Sequence, residues 1–447
     1  MEAPSPTLDS VRSDLARISA EIAVRRRHPL WFLFPSVWAL RKQRDSLRAQ
    51  ESKLKQEAKA AKKTRAPKPP PTNVPLVQGT AVHDADLIVT AAEINERHGT
   101  GVLLQRIFRT APHFIHVRSL DIYGGETTGA LQIRMPVCSS DELSSMLQGS
   151  TVKRILSVPY TNSDVRNTLA LQAATSAPLC VWLMDHNLGS GEHQIAPELM
   201  KELLDHAQLR LGISPEFCTL YRDLFGHEIH FAPPIVDASL AQRDPLHLGP
   251  EASPAGVLLG NVWSQRWLEK LADTVAAARV PMVAYGPKSP QWVKNDALAA
   301  QVETRGFLPE DELVTALRSH PFAVVPTGTL DDTDDLPEVA RYSLPSRTLY
   351  LSTVGNLPVI VIGHEDSGVA RFVKRHGLGI VVPYDGEAFR HAVQLICQPE
   401  QQQQFRRRAA QMAPAFACDD MLAWLWHSLE AGAPADERWS ASMLGQG

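Results

Sequence analysis

Short apolar runs, rich in Val, Ile and Leu, recur along residues 81–385, and most are followed by stretches with apolar positions every three or four residues. In the first half the strand-like runs are DLIVTAAEI (86–94), FIHVRSL (114–120), ILSVPY (155–160), PLCVWLMD (178–185), RLGIS (210–214) and IHFAPPIVD (229–237). A second series follows: GVLLGNVW (256–263), PMVAYG (281–286), FAVVP (322–326), PVIVIG (358–363) and LGIVVP (378–383). Continuous apolar strands separated by helices predict parallel sheets covered on both faces. Two series in tandem predict two Rossmann-like α/β domains facing a cleft, over residues 81–245 and 246–395. Residues 396–447 read as C-terminal helices, including MLAWLWHSL (421–429), and a loose tail of about a dozen residues.

The first 66 residues have a different pattern. Leu8, Val11, Leu15, Ile18 and Ile22 form one helical seam, and Val37, Leu40, Leu47 and Leu54 another. Pro29 and Pro35 interrupt the segment between them. This predicts a helical hairpin with coiled-coil character, joined to the body by a basic, proline-rich linker at 67–80.

Charge sharpens that division. The 447 residues are 44% apolar and 21% charged, with net charge −4, an ordinary composition for a globular protein. Residues 1–68 nevertheless hold 16 Lys and Arg against 7 Asp and Glu, while the remainder holds 29 against 42. A basic head on an acidic body predicts contact with an anionic surface. Residues 25–48 place WFLFPSVW between RRRH and RKQR, interfacial aromatics flanked by cations. The apolar run PLWFLFPSVWAL (29–40) is too short for a bilayer span, which needs about 20 residues. Its alternative use is packing, on the body or on another subunit in an oligomer. Nucleic acid is not indicated, because the cations lack a recognition motif and the body is acidic. The five cysteines lack CxxC spacing and no secretory h-region follows Met1, so a reduced, cytoplasmic setting is expected.

Three segments could hold an anion where a parallel strand ends and a helix begins. HGTGV (98–102) offers two glycines for close approach. LLGNVWSQRW (258–267) places Gly260 at a strand end and Arg266 in a first helical turn, where a cation opposes the helix dipole. SLPSRT (343–348) offers the hydroxyls of Ser343 and Ser346 and the charge of Arg347. Each also has a plain structural account, as a turn, a solvated arginine or a helix cap.

In their order these segments resemble the GT-B glycosyltransferases, specifically the bacterial group that uses sugar nucleotides. The counterparts are GNVW, GFLPEDEL (306–313) and LPSRTLYLSTVGNLPVIV (344–361), with ERHGTGVLLQRIF, WLMDHNL and ISPEF…YRDLFG…APPIV in the first half. The resemblance covers roughly residues 85–425. It implies that Gly260, Arg266, Ser346 and Arg347 approach a donor diphosphate. It places Tyr285, Gly286, Phe307 and Leu308 near the base, and Thr327 and Gly328 beside the sugar or nucleotide. His98, Asp185 and His186 become the candidate catalytic residues on the acceptor side. His186 would take the acceptor proton with Asp185 positioning it, or the departing diphosphate would take it instead. No cofactor or metal is implied, since the nucleotide-sugar is substrate.

Carboxylates mark a departure. Many members carry Glu-x7-Glu, whose second Glu binds the ribose diol; Tyr350 stands near that position and Tyr342 near the first. The acidic run DDTDD (331–335) lies outside the spacing and reads as a solvated loop. The resemblance implies transfer of a sugar to a glycan or lipid-linked acceptor, at the inner face of a membrane. A nucleotide-sugar epimerase and a non-catalytic scaffold of the same fold remain as alternatives.

Overall fold

The computed structural model describes residues 76–439, except 92, 123, 136–138, 190–193, 250–251 and 287–297. Of the first 73 residues it describes Asp14, Arg17, Ile18, Gln43, Ser46 and Leu47, all helical. Residues 67–75 of the expected linker, most of the segment 25–48 expected to meet an anionic membrane, and residues 440–447 lie outside the described residues. The chain divides into two units, Met1–Asn73 and Val74–Gly447. In the first, Arg17 pairs with Asp14 one turn earlier at 2.9 Å. No described helix is long and apolar enough to cross a membrane.

The second unit contains two sheets. The first has strands β1 (Leu76–Gly79), β2 (Ala85–Thr90), β3 (Ile115–Arg118), β4 (Leu131–Arg134), β5 (Val152–Val158), β6 (Leu179–Leu183), β7 (Leu209–Gly212) and β8 (His230–Phe231). Their order is β1-β4-β3-β2-β5-β6-β7-β8, parallel except for β1, which runs antiparallel to β4. The body therefore begins at Leu76, inside the segment expected to be linker. Helices α1 (Gly99–Phe108), α2 (Ser140–Met146), α3 (Asn162–Thr175), α4 (Pro197–His206) and α5 (Pro215–Phe225) connect the strands.

The second sheet, β9 (Gly256–Leu259), β10 (Met282–Tyr285), β11 (Glu303–Gly306), β12 (Ala323–Pro326), β13 (Val359–Ile362) and β14 (Gly379–Val382), has the order β11-β10-β9-β12-β13-β14. All its pairings are parallel. Its helices are α6 (Gln265–Ala278), α7 (Glu310–Arg318), α8 (Pro337–Tyr342), α9 (Ser346–Leu349), α10 (Gly368–His376) and α11 (Gly386–Ile396). α9 runs on into a π-helical turn, Tyr350–Val354. A doubly wound sheet reverses strand order at one crevice, here between β9 and β12, and that is where such sheets take ligands.

Alternation along the strands builds a core on each face. Leu87 and Val89 enter the layer with α2–α5, and Ile88 the opposite one. In the second sheet Val257 and Leu258 divide likewise. The C-terminal helices do not form a separate region. α12 (Pro399–Phe416) packs its Met412 and Phe416 under the second sheet. The chain then pairs Ala417 with Val236 and crosses to the first sheet. There α13 (Met421–Ala431) buries Trp424, Leu425 and Trp426 against α1 and Ile88. At ~1.5–3 kcal/mol for each buried large side chain, this return is part of the first sheet's stability. Trp439, expected in a loose tail, is also buried in that core.

Candidate functional site

At the β9–β12 crevice the strand ends lie backbone against backbone. Gly260 takes φ +71°, a left-handed conformation open to glycine, and its N–H donates to the Tyr285 carbonyl at 2.8 Å. A Cβ on Gly286 would come within 3.1 Å of the Gly260 Cα. Above this floor lies the Arg347 guanidinium, donating to the carbonyls of Asn261 and Leu259, the latter at 3.4 Å. Its Nε is buried with no partner. No carboxylate pairs with it among the described residues, and burial lowers its pKa to about 10. A guanidinium held charged without a counter-ion is a place for an anion.

A second helix end meets it from the first sheet. His98 caps α1: its Nδ1 accepts from the Gly101 N–H at 3.3 Å and its Nε2–H donates to the Glu93 carbonyl. Burial holds the His98 pKa below its ordinary value. Both ring nitrogens thus serve the turn. The first turn of α1 has no acidic residue, and a Cβ on Gly99 would lie 2.7 Å from the Ser346 Oγ. The positive ends of α1 and of the Ser346–Val354 helix therefore face each other beside Arg347.

The third expected helix end differs. At the start of α6, Ser264 Oγ accepts from the N–H groups of Arg266 and Trp267, each at 3.1 Å, and donates to Asp335. Asp334 accepts from Trp267 Nε1 at 2.8 Å and from the Leu330 N–H at 2.9 Å. The acidic run is thus not simply a solvated loop: Asp334 and Asp335 tie it to α6 and fill that helix end from within. The Arg266 side chain is exposed.

Asp185, two residues past β6, reaches across to the second sheet's half, accepting from Ser343 Oγ at 3.0 Å. Burial pushes its pKa up to about 6, against the lowering effect of that hydroxyl. Asp185 does not hold His186, as was expected of it. The His186 ring instead lies among Phe217, Tyr221 and Tyr342, at centroid distances of 6.4, 5.8 and 5.9 Å, with Nδ1 buried and unpartnered. Burial lowers its pKa.

Tyr285 also departs from expectation. Its ring is core, and its hydroxyl meets His320 Nε2 at 3.2 Å and Arg305 at 3.4 Å. Only its carbonyl reaches the crevice. Phe307, by contrast, is 52% exposed just past β11, while Leu308 packs partly into the core. Thr327 ends β12, and its carbonyl accepts from Tyr384 at 2.7 Å. Gly328 packs against Asp334. Near the missing ribose carboxylate, the Tyr350 hydroxyl donates to Glu310 at 3.1 Å. Burial and this carboxylate raise the Tyr350 pKa. Glu310 pairs with Arg106 of α1, which also meets Asp237 at 3.5 Å. Sequence spacing offers no sign of this cluster. No group of His, Cys, Asp and Glu among the described residues has a metal-binding arrangement.

Residues 257–416 match the family described as glucosyltransferase 3-like, C-terminal domain. No curated protein matches the sequence. Among solved structures, Anabaena HepE in complex with UDP-glucose aligns with TM-score 0.52 at 13% identity, over 78% of this chain and 99% of that one. WaaG, a glycosyltransferase involved in lipopolysaccharide biosynthesis, aligns with TM-score 0.49 at 10% identity, over 77% and 99%. AviGT4, a glycosyltransferase involved in avilamycin A biosynthesis, gives 0.48 and 13%, over 79% and 99%. The chain has the GT-B glycosyltransferase fold, and its second sheet with the surrounding helices matches the glucosyltransferase 3-like C-terminal domain.

Proposed function

We propose that this protein is a glycosyltransferase that moves a sugar from a nucleotide-sugar donor to a glycan or lipid-linked acceptor. The observation that carries the reading is Arg347, a buried guanidinium with no counter-ion among the described residues, where two acid-free helix ends converge. A donor diphosphate would supply the missing charge. Gly260 leaves room for it at the strand end beside Arg347, and the exposed Phe307 ring offers the base a face to stack on.

In the transfer, an acceptor hydroxyl oxygen bonds to the sugar's anomeric carbon as that carbon's bond to the diphosphate oxygen breaks. The departing oxygen takes the electron pair, and Arg347 and the helix N–H groups stabilise its charge. Ionised Asp185 is the better placed base for the acceptor proton, because both His98 nitrogens cap α1 and His186 is held among aromatic rings. The alternative route returns the proton to the diphosphate oxygen.

The test is binding and turnover of a donor panel, headed by UDP-glucose and followed by other UDP-, GDP- and ADP-sugars. Expected are a thermal shift with one nucleotide class and slow donor hydrolysis, both lost in Arg347→Ala. A silent panel would leave the scaffold reading. The proposed site at the inner membrane face rests on residues 25–48. Flotation with anionic vesicles should require residues 1–73, and equal flotation without them would remove that part of the proposal.

A further inference from the structure

α1 touches the second sheet's half at both ends. Its N-terminus meets Ser346 at Gly99. Two turns on, Arg106 pairs with Glu310 at the start of α7 and lies 5.1 Å from the centre of the Tyr350 ring. The same guanidinium reaches Asp237 in the link between the sheets, where Arg109 also binds at 2.8 Å. Arg106 is 13% exposed and Asp237 7%, so solvent screens that pair weakly, while Glu310 is half-exposed and its pair is screened more. α1 is a straight rod of about 15 Å, so fixing it at Arg106 also locates its N-terminus.

Resting on the donor reading above, we propose that Arg106 is a positioning residue. It holds the α1 N-terminus against the Ser346 helix and so completes the phosphate half of the donor site. The base platform at the exposed Phe307 lies on the second sheet's side, while the ribose position at Tyr350 lies against Arg106, so the nucleoside half depends on it less than the phosphate half does. A planar guanidinium can serve Asp237 and Glu310 together; a lysine ammonium is a point charge and serves them less well.

The full chain and its Arg106→Lys and Arg106→Gln variants would be titrated with UDP, GDP and ADP, and with the nucleoside of whichever binds. Circular dichroism would confirm that each variant is folded. Expected in Arg106→Gln is a fall of roughly tenfold or more in diphosphate affinity, with a clearly smaller fall in nucleoside affinity. Arg106→Lys should lie between. Unchanged diphosphate affinity in a folded variant, or equal loss of diphosphate and nucleoside, would overturn the positioning role. Failure of all three diphosphates to bind the unaltered chain would instead overturn the donor reading beneath it.

Discussion

Gly99 and Ser346 stand face to face across the cleft, so close that a Cβ on the glycine would lie 2.7 Å from the serine hydroxyl. They begin helices that belong to different sheets, and the contact brings two positive helix ends to one place. A methyl group at residue 99 would turn the Ser346 side chain from its rotamer or part the helices. The cost is about 1 kcal/mol, or roughly fivefold in donor affinity for Gly99→Ala. Adding Ser346→Gly should return part of the loss. A titration showing no such rescue would place the effect elsewhere.

Arg347 separates stability from binding. A buried charge with no carboxylate partner among the described residues is costly to desolvate. An apolar side chain of similar length does not carry that cost, which outweighs the two hydrogen bonds Arg347 makes to carbonyls. Arg347→Met should therefore melt at or above the unaltered protein. Nucleoside diphosphate affinity should fall by roughly a hundredfold, on the scale of two charged hydrogen bonds. A variant that melts lower yet binds normally would contradict both halves.

Asp185 sets a pH dependence. Its carboxyl is held protonated up to about pH 6, so catalysis that needs the carboxylate should rise with pH through that value. Asp185→Asn should remove the limb along with most of the rate. For stability the sign is opposite: the folded state binds the extra proton between the ordinary carboxylate pKa, about 4, and about 6. This group's contribution therefore declines as pH rises across that window. Rate profiles and thermal melts from pH 4 to 8 would check the two separately.

The returning C-terminal helix makes its own prediction. Trp426 donates to Asp86 at 3.0 Å, Arg154 pairs with Asp86 at 2.6 Å, and the Arg154 guanidinium lies 4.3 Å from the indole centre. Trp426→Ala should cost about 3–5 kcal/mol, measured by denaturant unfolding. Ending the chain before Met421 should expose the first sheet's core and lead to aggregation. A soluble, equally stable truncation would show that this layer is dispensable.

Much of the fold was legible in the sequence where burial left a mark. β6, β12 and β13, and most of β2, are apolar runs because helices cover both their faces. β11 reads Glu-Thr-Arg-Gly and lies at a sheet edge, largely exposed, so hydrophobicity does not announce it. β1 is half-exposed and takes its single partner, β4, from more than fifty residues away. Of the candidate site, Gly260, Phe307 and Arg347 were marked by their place in ordered motifs. Tyr285 could not be judged that way, because the face on which its ring is buried depends on the finished sheet.

The sequence by itself determined two α/β halves and the segments that end their strands, since these follow from local periodicity and turn chemistry. Only the tertiary structure decided which helix ends meet, that Asp335 fills one of them, that Asp185 turns to Ser343 and that Arg106 spans to Glu310. Those relations join residues up to 204 positions apart. They arise from the packing of one sheet's half against the other, which no local pattern encodes.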